Sequence, residues 1–267
     1  MDWSLFPGIG NSFSIGNGVV ITSHASAHTK GNYSQLIAST PSTLHFLTIA
    51  GDYADGPYDW LFDIAIGAAG SEQVILSNLQ MSTLSGISYR GAPFCAPISI
   101  PAGERISARC QSSTGNKNMY LGIIGYVLDF MKVELSPPLT YGANTADSGG
   151  TQIDCGAAAY TKGAYAQLVA ATVRDHQGIV LGFGNILNAG RTAGFFKVDI
   201  SIGAAGSEFI KVQDIGVGVS NSNNIPNPLF SIFYPVKIPI GSRLAARCSS
   251  GITDATDRLL DVIAYCF

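Results

Sequence analysis

Apolar and polar residues alternate along this chain in short runs. In residues 105–110, Ile106, Ala108 and Cys110 fall on one face, with Arg105 and Arg109 on the other. Residues 243–248 repeat the pattern with Leu244, Ala246 and Cys248 inward and Arg243 and Arg247 outward. Residues 63–66 and 199–202 alternate as well. A period of two residues predicts half-buried strands. Gly, Pro, Asn and Ser break the runs at intervals of about 8–12 residues, the spacing of a sandwich or jelly roll. No segment keeps a 3.6-residue apolar period beyond a turn or two. Segments 35–40 and 254–261 are the least strand-like, and one of them is expected to form a short helix. The fold class predicted is all-β.

The runs occur twice. Thr29-Lys30-Gly31-Asn32-Tyr33-Ser34-Gln35-Leu36 returns as Thr161-Lys162-Gly163-Ala164-Tyr165-Ala166-Gln167-Leu168. Asp63-Ile64-Ala65-Ile66-Gly67-Ala68-Ala69-Gly70-Ser71-Glu72 returns as Asp199-Ile200-Ser201-Ile202-Gly203-Ala204-Ala205-Gly206-Ser207-Glu208. Ile100-Pro101-Ala102-Gly103-Glu104-Arg105 through Cys110 returns as Ile238-Pro239-Ile240-Gly241-Ser242-Arg243 through Cys248. Three matches in the same order at similar spacing define a duplicated domain. The prediction is two tandem jelly-roll-like β-sandwiches: an arm at 1–16, a first domain at 17–130, a Pro-containing linker at 131–148 and a second domain at 149–267. A residue kept in both copies is expected to serve the shared fold, and a residue in one copy alone is free for something else. The arm carries Trp3, Phe6 and Phe13 as candidate anchors, because exposed aromatics are costly.

Composition narrows the functions. Charged residues make up 12% of the 267, about half the usual share, and net charge is −3. So few charges suggest a surface partly hidden in an assembly. No basic run is present to neutralise phosphates, which argues against nucleic acid as a partner. No apolar stretch is long enough for a membrane span, and the N-terminus lacks the layout of a signal peptide. Five cysteines make no even framework. Cys110 and Cys248 sit on apolar strand faces as small buried hydrophobes, which fits assembly in a reducing cytosol.

The candidate chemistry divides by the same rule. Asp63, Arg105 and Arg109, with their counterparts Asp199, Arg243 and Arg247, are predicted structural ion pairs, since guanidinium forks suit cross-strand carboxylates. An anionic-ligand site is the alternative. The Gly-Ala-Ala-Gly turns lack the Lys and following helix of a phosphate loop and read as tight turns. His24 and His28, on a strand, would lie about 13 Å apart, too far to share a zinc ion. No metal or cofactor is expected. The most site-like segment is residues 51–60, where Asp52, Tyr53, Asp55, Tyr58 and Asp59 crowd together before Trp60, which begins the next strand as Phe196 does in the second copy. Its counterpart lacks these carboxylates and tyrosines. Such a loop suits sugar hydroxyls and faces, or Ca²⁺. Asp52 with Asp59 is the one local hint of a glycosidase carboxylate pair. A second copy-specific loop carries Asn221, Asn223, Asn224 and Asn227 as candidate partner contacts.

The three repeated motifs together resemble a module of tailed-bacteriophage virion proteins, of the head-decoration or tail-fibre kind. That resemblance implies a non-enzymatic structural protein in the virion, assembled in the host cytoplasm, whose partners are other virion proteins and copies of itself; a host-surface glycan is a further candidate partner. The alternative is a carbohydrate-binding module using loop 51–60.

Overall fold

The computed structural model describes residues 18–56, 58–82, 93–127, 136–184, 194–219, 226–227, 230–251 and 259–267. The chain divides into two compact units, Met1–Leu139 and Thr140–Phe267. In the first, the strands are β1 (Val19–Thr22), β2 (Ser34–Ile37), β3 (Phe46–Ala54), β4 (Asp59–Ile66), β5 (Gln73–Ser82), β6 (Phe94–Ala96), β7 (Ile106–Ser112) and β8 (Asn118–Tyr126). They form two antiparallel sheets, β1-β8-β3-β6 and β2-β7-β4-β5. The first strand therefore pairs with the last, the second with the seventh, the third with the sixth, and the fourth with the fifth. A ribbon wrapped in this way is a jelly roll.

The second unit contains β9 (Leu139–Tyr141), β10 (Ala143–Asn144), β11 (Gly149–Asp154), β12 (Ala166–Val169), β13 (Ile179–Gly184), β14 (Gly194–Ile202), β15 (Phe209–Val219), β16 (Pro226–Asn227), β17 (Leu244–Ser250) and β18 (Leu259–Cys266). Its sheets run β10-β11-β18-β13, with β9 also on β18, and β12-β17-β14-β15-β16. The orders β11-β18-β13 and β12-β17-β14-β15 repeat β1-β8-β3 and β2-β7-β4-β5. The place of β6 is taken by isolated bridges from β13 to Tyr234 and Phe230. The all-β, twofold sandwich read from the alternation is the fold observed.

Each core lies between its two sheets. Trp60, Phe62, Phe94, Leu44, Leu47 and Ile49 are fully buried in the first unit, and Trp60 and Phe62 stack with centroids 6.0 Å apart. Phe183, Phe196, Val198, Ile200 and Tyr265 fill the second. Each such side chain contributes about 1.5–3 kcal/mol on burial, so neither unit needs covalent staples. Cys110 and Cys248 lie inward and buried, as their strand faces predict.

Three expectations can be compared with the described residues. Segment 35–40 forms no helix: it enters β2, where Gln35 pairs with Ser107, because cross-strand partners outweigh weak local preference. Segment 254–261 runs into β18, with Asp261 paired to Gln152; residues 254–258 lie outside the described residues. The stretch expected as linker contributes β9 and β10 to the second unit's sheet, since its prolines precede rather than interrupt those strands. His24 and His28 lie beyond the end of β1, in a turn where His28 has φ 57°.

Candidate functional site

The repeated motifs assemble one polar cluster per unit. Asp63 sits on the outward face of β4, opposite Arg109 of β7. Its carboxylate accepts from Arg109 Nε at 2.9 Å and Lys30 Nζ at 2.8 Å, and from the Asn78 backbone N–H at 3.0 Å. The Asn78 N–H points there because a bulge places two residues of β5, Ser77 and Asn78, against one of β4, Asp63. Asn78 has φ 53°, a left-handed conformation that Asn and Asp tolerate. The second unit rebuilds this with Asp199, Arg247 Nε at 3.0 Å, Lys162 Nζ at 2.7 Å and the N–H of Asp214 at 3.0 Å. Burial pushes both carboxyls up in pKa. Lys30, the Asn78 N–H and Arg109 outweigh it at Asp63, as their counterparts do at Asp199, and both groups end below the ordinary carboxylate value.

The other repeated residues support this cluster. Tyr33 and Tyr165 lie under the Arg109 and Arg247 guanidinium groups at 4.7 and 4.5 Å, a cation–π arrangement. Gly31 and Gly163 take the chain so close to the preceding strand that a Cβ would collide with the Thr22 or Asp154 carbonyl oxygen. Arg105 does not reach Asp63. It binds Glu72 Oε1 at 3.1 Å and Gln35 Oε1 at 3.1 Å, and Arg243 binds Glu208 and Gln167 in the same way. The predicted ion pairs thus split into two sets. Lys30 and Lys162, absent from the candidate residues, complete the inner one; their repetition in both copies was the available signal.

Two carboxylates of segment 51–60, Asp55 and Asp59, have partners within the fold. Asp52 and Tyr53 belong to β3, where Asp52 pairs with Tyr120. Asp55 accepts from the Asn118 N–H at 2.9 Å. Asp59 opens β4 and is buried, accepting from Ser82 Oγ at 2.6 Å. Tyr58 packs edge-on to Trp60 at 6.3 Å and beneath Lys117 at 5.1 Å. Alternation places Asp59 on the face that Asp63 also occupies, so it is part of the sheet instead of the solvated loop. Trp3, Phe6, Phe13, Asn221, Asn223 and Asn224 lie outside the described residues. The backbone of Asn227 pairs with Gly218. Among the described residues no group of three His, Cys, Asp or Glu side chains converges as a metal set.

Sequence reasoning passed over a cleft of about 360 Å³ in the first unit, lined by Thr22, Ser23, His24, Ala25, Gly31, Asn32 and Ser34. It lies between the end of β1 and the turn that leads into β2. Thr22 Oγ1 donates to Asn118 Oδ1 at 2.7 Å, and His24 Nδ1 accepts from the Ser26 N–H at 3.0 Å. That leaves Nε2 as the other polar atom of the ring. The equivalent residues of the second copy are Asp154, Cys155, Gly156, Ala157, Gly163, Ala164 and Ala166. The imidazole, the amide and the Ser34 hydroxyl are therefore confined to one copy. Aligning the two copies residue by residue across 22–34 would have revealed this.

No family model and no curated protein matches the chain. Similar solved structures include PNGase F, a glycosylasparaginase from Flavobacterium meningosepticum (9% identity, TM-score 0.35, covering 100% of this chain and 93% of that one). A tandem of CBM22 domains from Paenibacillus barcinonensis Xyn10C is similar at 10% identity and TM-score 0.28, covering 99% and 93%. PNGF-II is similar at 8% identity and TM-score 0.35, covering 93% of this chain and 65% of that one. The expectation that this chain is not an enzyme is corrected here, because a glycosylasparaginase stands among the similar structures. At these scores the likeness transfers neither an activity nor a residue.

Proposed function

We propose that this chain is a carbohydrate-binding protein of two jelly-roll domains, with its binding cleft in the first. The observation that carries this reading is the cleft lining, polar in the first copy and stripped of its imidazole, amide and Ser34 hydroxyl in the second. His24, Asn32, Thr22 and Ser34 supply donors and acceptors without net charge when the imidazole is neutral, a set suited to sugar hydroxyls. An anionic ligand would need a cation, and nearby Lys30 is held by Asp63. The test is a glycan array probed with the intact chain and with a triple variant, His24→Gly, Asn32→Ala and Ser34→Ala, which carries the second-copy residues. Binding by the parent alone supports the reading. Equal binding by both, or none by either, overturns it.

Assembly into a virion, as the motifs suggest, is a second reading favoured by one observation. Among the described residues, Tyr160, Val173, Phe195, Phe209, Ile232 and Ile240 of the second unit are each more than half exposed, whereas the exposed large apolar residues of the first unit are Val20 and Val74. Subunit interfaces bury such side chains. The molar mass in solution tests it: a stable monomer at high concentration counts against it.

A further inference from the structure

The second unit holds two thiols against each other. Cys155 follows β11, and Cys248 lies within β17. Their sulfurs are 2.6 Å apart. The two residues form an isolated parallel bridge, which sets their backbones at a strand spacing of about 4.8 Å. That spacing falls inside the range of about 4.4–6.8 Å between Cα atoms that a disulfide spans. The first copy provides the contrast. Ser23 stands where Cys155 does, accepting the Lys117 N–H at 3.0 Å, and the Cys110 thiol leans on the Ile21 carbonyl oxygen at 3.8 Å. One position therefore carries a sulfur in one copy alone, directly beside a thiol present in both.

We propose that Cys155 and Cys248 are a site of oxidative cross-linking, joined by a disulfide within the second domain when the protein meets a peroxide. Cys155 is 7% exposed and Cys248 is fully buried, so Cys155 meets the oxidant first. The Cys155 thiol gives up its proton and its sulfur attacks one peroxide oxygen, breaking the O–O bond; a sulfenic acid forms, and the departing hydroxide takes up that proton as water. The Cys248 sulfur then attacks the Cys155 sulfur, releasing a second water. Two thiols lose two electrons, and the peroxide gains them. The Cys155 contact and burial both push the Cys248 thiol up in pKa, so the second step relies on proximity rather than on a standing thiolate. Cys110 and Cys266 are buried, and burial raises the pKa of each thiol, that of Cys110 to about 12. No second cysteine contacts either one among the described residues. They serve as internal controls.

The cross-link would close a loop across a sequence separation of 93 residues. Constraint of the unfolded chain should then raise the melting temperature on the order of 10 °C. The test treats the folded chain with hydrogen peroxide, unfolds it in an alkylating agent and maps the peptides without reduction. The expected result is a linked Cys155–Cys248 peptide, lighter than its two thiol halves by two hydrogens, with Cys110 and Cys266 alkylated. The melting temperature should rise on oxidation, fall back with dithiothreitol and stay unmoved by peroxide in Cys155→Ser, which carries the first-copy residue. Alkylation of both Cys155 and Cys248 after peroxide, or their conversion to sulfinic acid, overturns the proposal. Peptide mapping of the parent protein decides the matter even if the variant does not fold.

Discussion

Asp63 and Arg109 are partners in register across β4 and β7, with Arg109 Nε 2.9 Å from Asp63 Oδ2, and Asp199 and Arg247 repeat the pair at 3.0 Å. The carboxylates are nearly buried, while the arginines keep contact with solvent. Replacing Asp63 with Ala strands a lysine, an arginine and a bulge N–H at once; replacing Asp199 strands the arginine and the N–H, while Lys162 keeps a carboxylate in Asp214, 2.9 Å away. The expected loss is about 2–4 kcal/mol per site, below the cost of fully buried pairs because the arginines reach water. Urea unfolding of D63A and D199A measures it, and a change under 1 kcal/mol would mean the cluster behaves as a surface ion pair.

The same carboxylates set an acid limit. Their folded pKa values lie below the ordinary carboxylate value, so the unfolded chain takes up the protons first as pH falls. Their contribution is complete above the unfolded value of about 3.9 and is lost as pH drops through the folded value. Denaturant midpoints at about pH 6, 4 and 3 should fall steeply only between the last two, and less steeply in D63N.

His176 adds a second pH dependence, confined to the second unit. Its ring is buried, with Nε2 3.1 Å from the Tyr141 hydroxyl. Burial first, then Arg174, holds the imidazole below its ordinary value. The stability from keeping it neutral is present above the unfolded value of about 6.5 and is lost as pH falls through the folded one. The first copy has Leu44 at this place, bridged to Ile100 as His176 is to Ile238. His176→Leu should therefore flatten the unfolding midpoint between about pH 7.5 and 5.5. A midpoint that still falls in that window would point to another titrating group.

Gly31 and Gly163 should tolerate no side chain. A Cβ at either meets a carbonyl oxygen of the preceding strand, and the turn cannot retreat without moving Lys30 or Lys162 off its carboxylate. Ala at either position is expected to cost about 2–4 kcal/mol, well beyond an ordinary surface change. Thermal melting of G31A and G163A checks this.

The three repeated motifs were legible because their charged residues, with the tyrosine and glutamine, have partners fixed by the fold: the lysine and the second arginine for the aspartate, the tyrosine for that arginine, the glutamine and glutamate for the first arginine. Alternation revealed the strands, and repetition revealed the domains. The cleft was not legible, since Thr22, His24, Asn32 and Ser34 belong to no periodic pattern and meet only when the chain turns between two strands. The place of Asp59 was not legible for a related reason. Proximity in sequence said nothing of Asp59 turning onto Ser82, a partner set by the β4–β5 pairing.

The wrapped order of pairing also constrains how these domains come into being. In the first unit, β1 has its sheet partner in β8, about a hundred residues later, and β2 has its partner in β7, so each sheet waits for a strand late in the unit. Non-local pairings of this kind fold slowly. While the first unit waits, a second set of strands with the same motifs follows on the same chain, and β18 presents to β11 the edge that β8 presents to β1. Tandem copies this similar are prone to exchange strands during refolding. Synthesis from the N-terminus, which lets the first copy close before the second is available, is then a safeguard of the fold that refolding from denaturant lacks.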